Sequence, residues 1–195
     1  EICACLVGSE MCIRDSGIIG IVAALTLPAV STRIAKSEAT ARLKKFNSMM
    51  YQVIMQTEQV NEPTSEWNTS NDDMEEFFLK YFAPYMKYVE AKTVSGRYTV
   101  YFADGSSLLL ERGDCLDFYF DINGAKKPNT YGKDLFLFSS CGGRTHWCNG
   151  RGWCATTKTS DDTREKKKAT CISTPNYCGA LLEYDNWEFK DDYPW

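Results

Sequence analysis

The sequence predicts an α+β fold: a long N-terminal α-helix, for membrane or filament, packed on a small antiparallel β-sheet head with a disulfide-rich C-terminal region. Three observations predict it. Residues 17–30, "GIIGIVAALTLPAV", hold no charged side chain and run into a pattern of helical period. Beyond Pro84 the hydrophobic period falls to two, the period of a strand with one face buried. Cysteines then crowd the second half of the chain.

The helix comes first. Fourteen uncharged residues at ~1.5 Å each span roughly 21 Å, short of the ~30 Å hydrocarbon layer. Gly17–Val30 therefore reads alone as a buried core helix or a signal-peptide core, and as the surviving half of a cut gene it reads as the end of a longer apolar helix. Pro28 lies inside it and is expected to kink it. Past Pro28, Ile34, Leu43, Phe46, Met50, Val53 and Ile54 return on one face, with Lys36, Glu38, Arg42, Lys44 and Lys45 on the others. The period breaks at Asn61-Glu62-Pro63. Caps in Asn68–Asn71, followed by Asp72, Asp73, Glu75 and Glu76 where the helix dipole favours acids, open a second helix through Phe77, Phe78, Tyr81 and Phe82, closed by Pro84.

Strands follow. "RYTVYFADGSSLLLE" is a hairpin signal with Asp104-Gly105 at the turn. "CLDFYFDIN" and "DLFLFSS" are two further strands around an Asn-Gly turn. The stretch 141–178 reads mostly as loop, with a short helix in "YCGALLEY".

Composition narrows the function. A net charge of −4 over 195 residues argues against a nucleic-acid binder, which needs a basic face. Nine cysteines is an odd count for a disulfide protein. The opening "CLVGSEMCIRDS" has no period and no turn chemistry, and it resembles the in-frame translation of a transposon-based sequencing-library adapter. On that reading residues 1–16 are an artefact, 17–60 the apolar then amphipathic helix, and 61–195 a globular head. Without Glu1, Glu10, Asp15 and Arg14 there are 21 basic and 23 acidic residues. Without Cys3, Cys5 and Cys12 six cysteines remain: Cys115, Cys141, Cys148, Cys154, Cys171 and Cys178. Six cysteines in an oxidising compartment imply a disulfide framework with fifteen connectivities open. Short loops favour Cys148–Cys154 and Cys171–Cys178, which leaves Cys115–Cys141.

"GIIGIVAALTLPAV" followed by a lysine-bearing amphipathic helix resembles the type IV pilins and type II secretion pseudopilins. "VYFADGSSLLL", "FDINGAKKPNTYGKDLFLF" and "YCGALLEYDNWEFKDDYPW" are similar to a pseudopilin-like group of gut bacteria. The resemblance implies a structural subunit, cleaved by a prepilin peptidase and extracted from lipid by an inner-membrane assembly platform. It then polymerises with itself and other pilins, its head in the periplasm or on an extracellular filament. The family's leader, its N-methylated Phe and its early glutamate match no residue here. The implied membrane and assembly surface is Gly17, Ile18, Ile19, Gly20, Ile21, Val22, Ala23, Ala24, Leu25, Leu27 and Pro28, continuing to Ile54. Small residues there let neighbouring helices approach closely.

Several constellations carry sharper expectations. Asp121, Asn123, Asn129 and Asp134 offer oxygen ligands to calcium, which the resemblance implies because several pseudopilins of the family hold a structural calcium in such a loop, though Lys126, Lys127 and Lys133 interrupt it here. The same residues suit an Asx and Gly turn. Cys141, His146, Cys148 and Cys154 have the donors for zinc, though pairing competes for the thiols. The run Arg164–Lys168 reads as a solvated loop. Trp187, Phe189, Tyr193 and Trp195 read either as packing on the sheet or as an adhesive surface. With one histidine and no nucleophile motif, no enzyme is expected. The alternative to a filament subunit is a membrane-anchored or secreted disulfide-rich adhesion module.

Overall fold

The computed structural model describes residues 6–67, 73–113, 115–124, 126–142, 148, 152–158 and 162–195, with the side chains of 6–17, 20 and 23 left aside. Two compact units emerge, Glu1–Glu38 and Ala39–Trp195, and helix α1 (Leu6–Thr57) contributes to both.

The second unit is the α+β head. From α1 it takes Ala39, Leu43, Phe46, Met50, Val53 and Thr57, all buried and spaced alternately four and three residues apart. That spacing lays one continuous stripe along a helix. Ile54 is buried beside it, whereas Ile34, expected on the stripe, is 61% exposed and belongs to the first unit. Helix α2 (Met74–Tyr81) begins where the Asp73 carboxylate accepts the N–H groups of Glu75 and Glu76. The caps expected at Asn68–Asn71 lie outside the described residues.

Six antiparallel strands form one sheet in chain order: β1 (Glu90–Val94), β2 (Arg97–Tyr101), β3 (Ser107–Arg112), β4 (Leu116–Asp121), β5 (Leu135–Ser140) and β6 (Cys154–Ala155). A two-residue loop joins β1 to β2, with Ser95 and Gly96 both at positive φ as a primed turn requires. The β2–β3 hairpin turns at Asp104-Gly105 as expected, closed by Phe102 N–H to Ser106 O at 3.0 Å. Alternation then sorts the sheet's faces. Val100, Leu108, Leu110, Phe118, Phe120, Phe136 and Phe138 join the α1 stripe in one buried cluster, with Phe46 stacked on Phe120 at 3.9 Å between centroids.

The stretch beyond Cys141 carries more structure than expected. Besides β6 it forms α3 (Arg164–Ser173), capped by Thr163, and α4 (Cys178–Tyr184). Arg164–Lys168 is thus the start of a helix rather than a loop. Arg164, Lys166 and Lys168 are spent on ion pairs, which sequence alone does not separate from a solvated coil.

Candidate functional site

In the first unit, the surface that sequence singles out is the uncharged part of α1. Ile18, Ile19, Ile21, Val22, Leu25, Leu27 and Val30 are all more than half exposed. Ala24 and Pro28 are exposed too, and Gly17, Gly20 and Ala23 lie outside the described side chains. Hydroxyl groups here are turned onto the helix itself. Thr26 Oγ1 donates to Val22 O at 2.8 Å, and Ser31 Oγ and Thr32 Oγ1 each donate to Pro28 O at 2.9 Å. A side chain that back-bonds in this way presents little unsatisfied polarity outward. Pro28 itself has no N–H to give to the carbonyl four residues earlier. Among the described residues no helix is long and apolar enough to cross a membrane, so the expected membrane span is not met within them.

Polar clamps hold the second unit together. Arg42 Nη1 donates to Asp104 O at 3.0 Å and to Ile122 O at 2.5 Å, and Lys45 Nζ reaches Asp104 Oδ2 at 2.7 Å. Burial opposes ionisation of Asp104. The bonds from Lys45 and from the Ser106 hydroxyl and N–H outweigh it and hold the carboxyl at about 2.

The structure brings Asp121, Asn123, Asn129 and Asp134 together and employs them as a turn. Asp121 Oδ1 accepts Asn123 N–H at 3.0 Å. Asp134 accepts Asn123 Nδ2–H at 2.9 Å, Asn129 N–H at 3.0 Å and Thr130 N–H. Both Asp134 oxygens are therefore committed to N–H donors, while Asn123 gives its amide nitrogen to Asp134 and its Oδ1 is buried with no hydrogen-bond partner. As arranged, the four residues serve the turn expected of them, and a calcium ion, which takes six to eight oxygens, would have to displace the N–H donors from Asp134. Burial is the main reason that Asp121 is pushed up to about 6, with the Asn123 and Gly124 N–H groups pulling the other way and Asp134 adding repulsion.

The cysteines are bonded Cys115–Cys141, Cys148–Cys154 and Cys171–Cys178. A zinc site at Cys141, Cys148 and Cys154 would need thiolates that these bonds consume, and His146 lies outside the described residues. Among the described residues no group of three or more His, Cys, Asp or Glu side chains is placed to hold a metal.

The aromatic tail packs instead of projecting. Trp187 and Tyr193 are buried, and Phe189 and Trp195 are half-buried against the same core. Tyr193 Oη donates to Gly132 O at 2.7 Å. Arg164 forks between Asp185 and Asp192, with Nε at 2.8 Å from the first and Nη2 at 2.7 Å from the second. Lys190 and Lys168 complete the network at 2.8 and 2.9 Å. Its carboxylates are held low. Burial works against Asp185 until Arg164 and Lys190 overcome it, while Asp192 is lowered by Arg164 and then Lys168.

Sequence reasoning missed a cavity on the sheet's outer face, lined among others by Tyr101, Tyr119 and Tyr131. The outward positions of "RYTVY" and "LDFYF" were its signal.

Compared with known proteins, residues 29–195 match a family described as a family of unknown function, DUF6613. No curated protein and no solved structure matches the chain.

Proposed function

We propose that this chain, which belongs to the DUF6613 family, is a filament subunit of the type IV pilin and type II secretion pseudopilin kind. The observation that carries the reading is the uncharged, outward-facing run of α1 from Ile18 to Val30. Such a surface is stable only against lipid or against other apolar helices. Hydroxyls folded back onto the helix, and small residues along it, suit both environments in turn. A head with its own core and three disulfides suits an oxidising compartment such as the periplasm.

In this reading the subunit waits in the inner membrane by α1, is processed by prepilin peptidase, and is drawn by the assembly platform into a bundle of like helices. Its partners are other pilins or pseudopilins, and the head sets the filament's surface.

Two measurements test it. Sequencing the locus upstream of the Gly17 codon is expected to show a short basic leader ending in Gly, then Phe-Thr-Leu-x-Glu and a completed apolar helix. That outcome also identifies residues 1–16 as adapter. A conventional signal peptide there would favour the anchored adhesion module. With the completed gene in a cell carrying the assembly machinery, a charge at Leu25 (Leu25→Lys) is expected to abolish filaments while the head stays folded. Filaments undiminished by that charge would sink the proposal.

A further inference from the structure

The outer face of the sheet, opposite the core, holds a cavity of about 280 Å³. Strand register lays its floor. Tyr101 on β2, Ser107 on β3 and Asp121 on β4 stand side by side in one row across the sheet, and Thr99, Leu109 and Tyr119 form the next. Tyr131, from the connection between β4 and β5, lines it beside them, and Arg97 adds a guanidinium.

The chemistry of this lining is specific. Among the described residues, no hydrogen bond engages the hydroxyls of Tyr101, Tyr119, Tyr131 or Ser107. Elsewhere in the head, the buried hydroxyls of Ser139 and Tyr193 bond Asp117 and Gly132, whereas Ser140 Oγ has no partner. The cavity therefore offers several donors and acceptors together on a bed of aromatic rings. It also holds one group of each sign, the Asp121 carboxyl and the Arg97 guanidinium, the latter 3.5 Å from Glu111. A cation would meet Arg97 and an anion would meet Asp121. Neither gains a net attraction.

We infer that this cavity binds a single neutral hexopyranose unit, free or at the end of a glycan. A pyranose has an apolar C–H face for the tyrosine rings and a rim of hydroxyls for Ser107, Asp121 and the phenols. The volume lies just under the ~300–1,000 Å³ of drug-sized sites, which suits one ring and not an oligosaccharide. The site sits within the second unit and stands whether or not the subunit polymerises.

The test uses the full chain in a zwitterionic detergent that carries no sugar. Saturation-transfer NMR would be recorded with glucose, galactose and mannose, and with choline and N-acetylneuraminic acid as charged probes. At least one hexose is expected to receive saturation and to bind at millimolar concentration. Tyr131→Ala and Ser107→Ala are each expected to weaken that binding about tenfold or more. Tyr184→Ala, an exposed tyrosine on α4, should leave it unchanged. Thermal melts of the variants show whether each is folded, and Tyr131 is the more exposed position should Ser107→Ala fail to fold. No hexose signal at tens of millimolar would overturn the inference. So would a signal that survives Tyr131→Ala in a folded protein, or binding confined to choline or N-acetylneuraminic acid.

Discussion

Asp121 is the residue at which position and chemistry disagree most. It is 6% exposed and sits in a polar row on an otherwise ordinary strand end. Its carboxyl titrates at about 6 when folded, against 3.8 for the free group, so the native state holds the proton more tightly than the unfolded one. Stability from this group is therefore full below about pH 4 and falls as pH rises through about 6. Asp121→Asn keeps an oxygen for the Asn123 and Gly124 N–H groups and removes the charge. Urea melts are expected to show the variant more stable than wild type by about 1 kcal/mol at pH 7.5, with the gain gone at pH 4. An equal difference at both pH values would mean that the carboxyl is not buried as the structure has it. Sequence could place Asp121 in a turn, because Asx chemistry is local. It could not tell that the oxygens of Asp134 would be claimed by three N–H donors, since that depends on how a thirteen-residue connection closes over itself.

Elements were legible wherever their period ran long. The α1 stripe, the hairpin at Asp104-Gly105 and the strands β4 and β5 all follow from alternation or helical spacing plus turn chemistry. β1 was not, because Glu90–Val94 is an exposed edge with no apolar alternation to announce it. α3 was hidden by the charge run at its start. The loop closed by Cys148–Cys154 had no period to read, yet it delivers the most buried of the described tryptophans. Trp153 is stacked on Phe138 at 5.2 Å and set edge-on to Phe46 and Phe118, with its Nε1–H given to Asn47 Oδ1 at 2.9 Å. Trp153→Ala is expected to cost about 3–5 kcal/mol, read as a fall in the denaturation midpoint. Trp153→Phe should recover most of the packing and lose the bond to Asn47. If Trp153→Ala costs less than about 1 kcal/mol, the loop does not close on α1 as described.

For the molecule as a whole, the three disulfides divide the work of holding the second half of the chain. Cys115–Cys141 spans the start of β4 and the end of β5 across 26 residues, and a bond closing such a loop contributes roughly 3 kcal/mol. Reduction under native conditions is expected to lower the melting temperature by ten degrees or more, roughly, with this bond contributing most. A protein that melts unchanged after complete reduction would contradict that division. The bond between Asn47 and Trp153 has a different consequence, which concerns time rather than energy. Its ends are 106 residues apart, so the last part of the cover over the α1 stripe is made long after the stripe itself. At the ~5–20 residues per second of synthesis, the stripe waits on the order of ten seconds for that last part. Until its last third is made, the head can close over that helix only in part, and its final form waits on the residues farthest along the chain.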